Sequence, residues 1–70
     1  MKVTYDSEVD VLYVQLSGAT IHVSDEVKPG FIVDYDPEGG IVGFEVLNAS
    51  RKVDNLPNVE LANMQALTAA

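Results

Sequence analysis

The chain has no cysteine. Disulfides are therefore excluded as a source of stability, and so are zinc sites built on thiolates. The absence agrees with a reducing cytoplasm without demanding one. Basic residues are scarce too: Lys and Arg total 4 against 11 Asp and Glu, for a formal net charge of −7. Arg51 and Lys52 are adjacent, while Lys2 and Lys28 stand alone. Binding to nucleic acid or to anionic membranes needs a basic patch, so neither is expected. Solubility accounts for an acidic surface of this kind, and the sharper reading is a basic protein partner steered by complementary potential. No apolar run approaches the roughly 20 residues of a membrane-spanning helix. The opening residues, MKVTYD, lack the apolar stretch of a signal peptide, and the expected location is the cytoplasm. His22 is the only histidine. There is no G-x-S-x-G, P-loop, G-x-G-x-x-G or zinc-ligand spacing, so neither an enzyme nor a cofactor is expected.

What is present is a foldable chain. At 47% hydrophobic residues it is too apolar to be disordered. Seventy residues make one small domain of marginal stability, for which a second subunit is the simplest remaining support. Turn residues divide it into β-rich runs: Val3 to Tyr5, Val11 to Leu16, Thr20 to Val27, Phe31 to Tyr35 and Ile41 to Leu47. The turns at Lys28-Pro29-Gly30 and at Asp36 to Gly40 are too short for a crossover helix, which predicts an antiparallel meander of four to five strands. Beyond Leu47 the pattern turns helical. Asn48 is the expected N-cap of one or two turns to Val53, and Asn58 caps a second stretch, Val59 to Leu67, whose apolar residues recur at helical spacing. The predicted class is α+β, a small antiparallel sheet followed by a short C-terminal helical segment. Alternation puts Leu12, Val14, Leu16, Ile21, Val23, Val42, Phe44 and Val46 on one face. The other keeps Val11, Tyr13, Phe31, Val33, Tyr35, Ile41 and Leu47. A helix can cover one such face and a second copy of the chain the other. Val11, Tyr13, Phe31, Val33 and Tyr35 are the expected interface residues, because Tyr and Phe favour interfaces.

Two carboxylate patterns invite a chemical reading. Residues 34 to 45, DYDPEGGIVGFE, approximate a calcium loop, with Asp34, Asp36, Glu38 and Glu45 as candidate metal ligands around Gly39. A calcium loop of that kind sits between helices, whereas Phe31 to Val33 and Ile41 to Phe44 read as strands. Pro37, Gly39, Gly40 and an Asx-turn at Asp36 are all accounted for by turning the chain, and the hairpin is preferred. Asp6, Glu8 and Asp10 would share a face if fully extended, but Asp-Ser starts turns and the turn is preferred here too.

The phrases MKVTYDSEVDVLYV, VKPGFIVDYDPEGGIVGFEVL and NASRK together resemble the small bacterial YuzE-like family, a domain of unknown function. The likeness covers residues 1–53 as a β-rich domain and leaves 54–70 as a helical tail of the same domain. It implies a compact β-sheet with a helical end and transfers no catalytic residues. It also favours an ordinary strand–turn–strand for DYDPEGG.

The leading expectation is a non-catalytic protein-interaction module, dimeric, with a basic protein partner. An antitoxin-like chain that neutralises a basic toxin is one concrete form. The alternatives are a module binding a metal or a cationic small ligand through Asp34, Asp36, Glu38 and Glu45, and an acid–base or metal-dependent enzyme. The enzyme would use Asp6, Glu8 and Asp10, or Asp34, Asp36 and Glu45.

Overall fold

The computed structural model describes residues 1–56 of the 70. Five strands follow one another: β1 (Lys2–Asp6), β2 (Val11–Gln15), β3 (Val23–Lys28), β4 (Phe31–Tyr35) and β5 (Ile41–Leu47). A 3-10 turn, Ala49–Arg51, comes after them. All neighbouring strands pair antiparallel, in the order β1-β2-β5-β4-β3.

Two expectations are corrected. The sheet is not a meander, because β5 is inserted between β2 and β4. Strands β2 to β5 make a Greek key, three hairpin-linked strands with a fourth beside the first. The link from Leu16 to His22 carries the chain from β2 past two strands to β3. Three strand spacings are about 14 Å, well within the reach of an extended link of that length. Nor is the fold α+β. The one helical element that lies wholly among the described residues is the 3-10 turn, so the observed class is an antiparallel β-sheet. The helical run expected over residues 48 to 53 stops after one turn, because Asn48 enters it in the left-handed region (φ 52) and Lys52 leaves helical geometry. The stretch Val59 to Leu67 lies outside the described residues.

Register sorts the side chains more sharply than alternation did. Directly opposed residues share a face. One row runs Val3, Val14, Phe44, Val33 and the next Tyr5, Leu12, Val46, Phe31. Tyr35 follows Val33 on that face, so Phe31, Val33 and Tyr35 lie with Leu12, while Val11 and Tyr13 lie on the reverse. The expected interface set is thus divided between the two faces. The reason is irregular phase. Val42 is an extra residue between the Asp34–Gly43 and Tyr35–Ile41 pairs, and Val27 is extra between Glu26 and Lys28. Each bulge resets the alternation.

The chain itself covers one part of the apolar face, around Leu12 and Val46. Leu12, Val46, Ala49 and Leu56 form the buried cluster, with Val3, Tyr5, Phe31, Phe44 and Val53 packed against it. The segment is anchored from a distance. Asp10, in the β1–β2 turn at φ 57, accepts a hydrogen bond on its backbone oxygen from the Ala49 N–H (3.0 Å). Its carboxylate accepts from the Ser50 N–H (2.9 Å), the Ser50 hydroxyl (2.6 Å) and the Tyr5 hydroxyl (2.7 Å). Asn48 makes no side-chain cap, so Asp10 serves the start of the turn instead.

These hydrogen bonds, from the Ser50 hydroxyl first and then Tyr5, hold the Asp10 carboxyl below its ordinary value of 3.8. A depressed folded-state pKa contributes stability that is present above the unfolded value and is lost as pH falls through the folded one. Asp10→Asn, which keeps a residue tolerant of positive φ, is therefore expected to be less stable than the parent at neutral pH. The gap should close as the pH drops below about 4. Urea melts across that range check it, and a pH-independent gap would refute the assignment.

Candidate functional site

The reverse face carries three rows: Lys2, Gln15, Gly43, Asp34, Ser24; then Thr4, Tyr13, Glu45, Ile32, Glu26; then Asp6, Val11, Leu47. Among the described residues, the 3-10 turn and the residues after it pack on the other face, against Leu12 and Val46.

At the centre is Asp34, the one buried charged residue of those described, only 8% exposed. Its Oδ2 accepts from the Tyr13 hydroxyl at 3.0 Å and its Oδ1 from the Ser24 hydroxyl at 2.6 Å. Neighbouring strands make this possible. Ser24 is directly opposite Asp34, whereas Tyr13 reaches diagonally across β5. Gly43 lets it pass. A Cβ there would lie 2.9 Å from the Tyr13 hydroxyl and 2.5 Å from the Val14 carbonyl oxygen, so the phenol end occupies the space a side chain would need.

The electrostatics follow. Burial, then the Asp34 hydrogen bond, then the Asp34 and Glu45 charges raise the Tyr13 phenol above its ordinary 10.0. A raised folded-state pKa contributes stability that is fully present below the unfolded value and lost as pH climbs through the folded one. In a phenolate absorbance titration, Tyr13→Phe should remove a step that lies above the ordinary phenol range. A late step that survives Tyr13→Phe would assign it elsewhere.

The chemical character is that of an acceptor surface. Tyr13 and Ser24 both direct their hydroxyl protons inward to Asp34, so each can only accept from a ligand. Gln15 spends an amide proton on the Ser17 carbonyl at 3.1 Å. Glu45, opposite Tyr13, and Glu26, opposite Ile32, add carboxylates. Ser24 bonds directly to a carboxylate, with no imidazole between them. His22 precedes β3, and its backbone N–H donates to the Tyr35 carbonyl at 2.7 Å.

The carboxylates of the calcium-like phrase have separate duties. Asp34 sits in this cluster. Asp36 Oδ1 accepts the backbone N–H groups of Glu38 (2.9 Å) and Gly40 (2.7 Å). The Gly39 N–H donates to the Asp36 carbonyl at 3.1 Å with Gly39 at φ 84, the geometry of a turn whose last residue must be left-handed. Glu38 is in that turn, and Glu45 lies on the sheet. Asp6, Glu8 and Asp10 are not in a row either, because residues 7–10 turn, with the Glu8 N–H on Asp6 Oδ1 (3.0 Å). Among the described residues no three His, Cys, Asp or Glu side chains are gathered so as to hold a metal ion.

Sequence reasoning singled out Tyr13 and Asp34 separately and never joined them to Ser24. Two signals were available: an aspartate between Val33 and Tyr35 in a strand, and a glycine inside the apolar run of β5.

Among the described residues no helix is long and apolar enough to cross a membrane. A family model described as a protein of unknown function (DUF2283) matches residues 2–50. No curated protein and no solved structure matches the chain.

Proposed function

The chain belongs to the DUF2283 family of proteins of unknown function, and from that premise we propose that it is a non-catalytic protein-interaction module. The carrying observation is the contrast between the two sheet faces. One is apolar across β1, β2, β5 and β4, and the chain's own Ala49, Val53 and Leu56 pack on it around Leu12 and Val46. The other mixes Val11, Tyr13, Ile32 and Leu47 with carboxylates around a tyrosine fixed by Asp34. Apolar and aromatic residues with fixed polar groups are the usual make-up of a recognition surface. The Ser24 hydroxyl is committed to a carboxylate rather than to a base that would activate it, which suits binding more than acyl transfer. The likeness of residues 1–53 to the YuzE-like group fits this reading, and an antitoxin-like chain that neutralises a basic toxin is its most specific form. Immobilised full-length chain should retain a stoichiometric protein from extracts of its native host. Recovery of none, with the bait shown to be folded, would sink the proposal.

A dimer is a second reading, favoured by one observation. Ile21, Val23, Val27 and Ile41 are all about half exposed at or near the β3 margin of the sheet, where Val23 and Ile41 both oppose Tyr35. Solution mass by light scattering over a range of concentrations tests it. Strand β3 is itself guarded against edge pairing, being bulged at Val27 and charged at Asp25, Glu26 and Lys28.

A further inference from the structure

We infer that the Tyr13 face of the sheet docks an arginine-bearing segment of a basic protein, with Glu45, Tyr13 and Asp34 at the centre of the contact. The inference rests on the reading of the chain as an interaction module, and it fixes which surface is used and by what kind of partner.

Three observations carry it. The first is hydrogen-bond polarity. Asp34 consumes the protons of Tyr13 and Ser24, so what these hydroxyls offer outward is lone pairs. A partner must bring donors. Guanidinium brings five in a rigid fork and no acceptor, and it also stacks on aromatic rings. The second is charge. The face holds Asp6, Glu26, Asp34 and Glu45 against Lys2 alone, at its corner. The third is that a second copy supplies little to neutralise it. Lys52 donates to the Leu47 carbonyl at 2.7 Å and lies 4.9 Å from the centre of the Phe31 ring, which belongs to the apolar face. Lys28 is opposite Phe31, and Arg51 is in the 3-10 turn. Two copies meeting on this face would oppose carboxylate to carboxylate, which disfavours self-association there.

Apolar residues on either side of the acidic row make the surface more than a charged patch. Val11 and Leu47 oppose each other on one side of Glu45 and Tyr13, and Ile32 flanks Glu45 on the next strand. An arginine placed between them would lay its methylene stem on these residues and its head over Tyr13 and Glu45.

The probe is a short arginine-rich peptide, titrated into isotope-labelled full-length chain at about 0.15 M salt, where exposed charges are screened beyond roughly 8 Å. Amide shifts are expected to concentrate at Tyr13, Asp34, Gly43 and Glu45. Glu45→Gln should weaken binding about tenfold, and Glu26→Gln somewhat less. Glu38→Gln, in the distant turn, should leave it unchanged. Equal weakening by all three variants, or shifts spread evenly over the acidic residues, would show general charge attraction and overturn the site. Concentration-dependent shifts at Tyr13 and Glu45 without peptide would assign the face to a second copy and also overturn it. A failed host capture with peptide binding intact at Glu45 would sink the interaction-module reading while leaving the arginine preference standing. Successful capture insensitive to Glu45→Gln would do the reverse.

Discussion

Gly43→Ala is expected to destabilise the protein by about 3 kcal/mol, a fall in Tm on the order of 15 °C for a domain of this size. The added Cβ would sit 2.5 Å from the carbonyl oxygen of Val14 and 3.2 Å from the Tyr13 ring carbon that bears the hydroxyl. The ring can swing aside, but the carbonyl is part of β2, held to β5 across Val11–Leu47 to Gln15–Gly43. Relief therefore needs the two central strands to part. Displacing Tyr13 would also strip Asp34 of one of its two hydroxyl donors in a buried place, an added penalty. Thermal melts of the variant beside Tyr13→Phe separate the two effects. Tyr13→Phe loses only the hydrogen bond and should cost about 1 kcal/mol. If Gly43→Ala costs no more than Tyr13→Phe, the close approach of the strands is wrong.

Leu56→Ala is expected to cost a similar amount, about 3 kcal/mol. Leu56 is only 4% exposed and packs with Leu12, Val46 and Ala49. A single small core supplies roughly 3–5 kcal/mol in all, so this one side chain separates a folded population from a substantially unfolded one. Urea denaturation should show a lower midpoint with an unchanged slope. Val9→Ala, at an exposed position, should stay within about 0.5 kcal/mol and serves as the control. A loss below about 1 kcal/mol at Leu56 would mean that the segment after β5 rests on the sheet without completing its core.

The local elements were legible where local chemistry decides them. Phe31 to Tyr35 and Ile41 to Leu47 have the bounds their sequences suggest, because Pro29-Gly30 and Asp36 to Gly40 stop the chain on either side. The hairpin reading of DYDPEGG was legible as well, through Pro37 and the glycines. What depends on distant partners was not. Ser50 and Asp10 are forty residues apart, and nothing near Ser50 announces that its turn is capped from elsewhere. The Tyr13–Asp34–Ser24 cluster exists only once β5 separates β2 from β4, an arrangement that local patterning leaves open. The side-chain phase of β4 relative to β2 failed for the same reason, since an extra residue such as Val42 looks no different from its neighbours in sequence.

The order of strands also governs how this chain can be made. Of the five strands among the described residues, β5 is the last to leave the ribosome, yet it occupies the middle of the sheet. Before it emerges, the growing chain holds the partners of two separate hairpins, β1 with β2 and β3 with β4, with no strand to join them. Isolated hairpins are marginal in water. The nascent protein therefore gains little lasting structure strand by strand. The sheet can be joined only when residues 41 to 47 are present to pair on both sides, and until then two strand edges meant for β5 stay open to other chains.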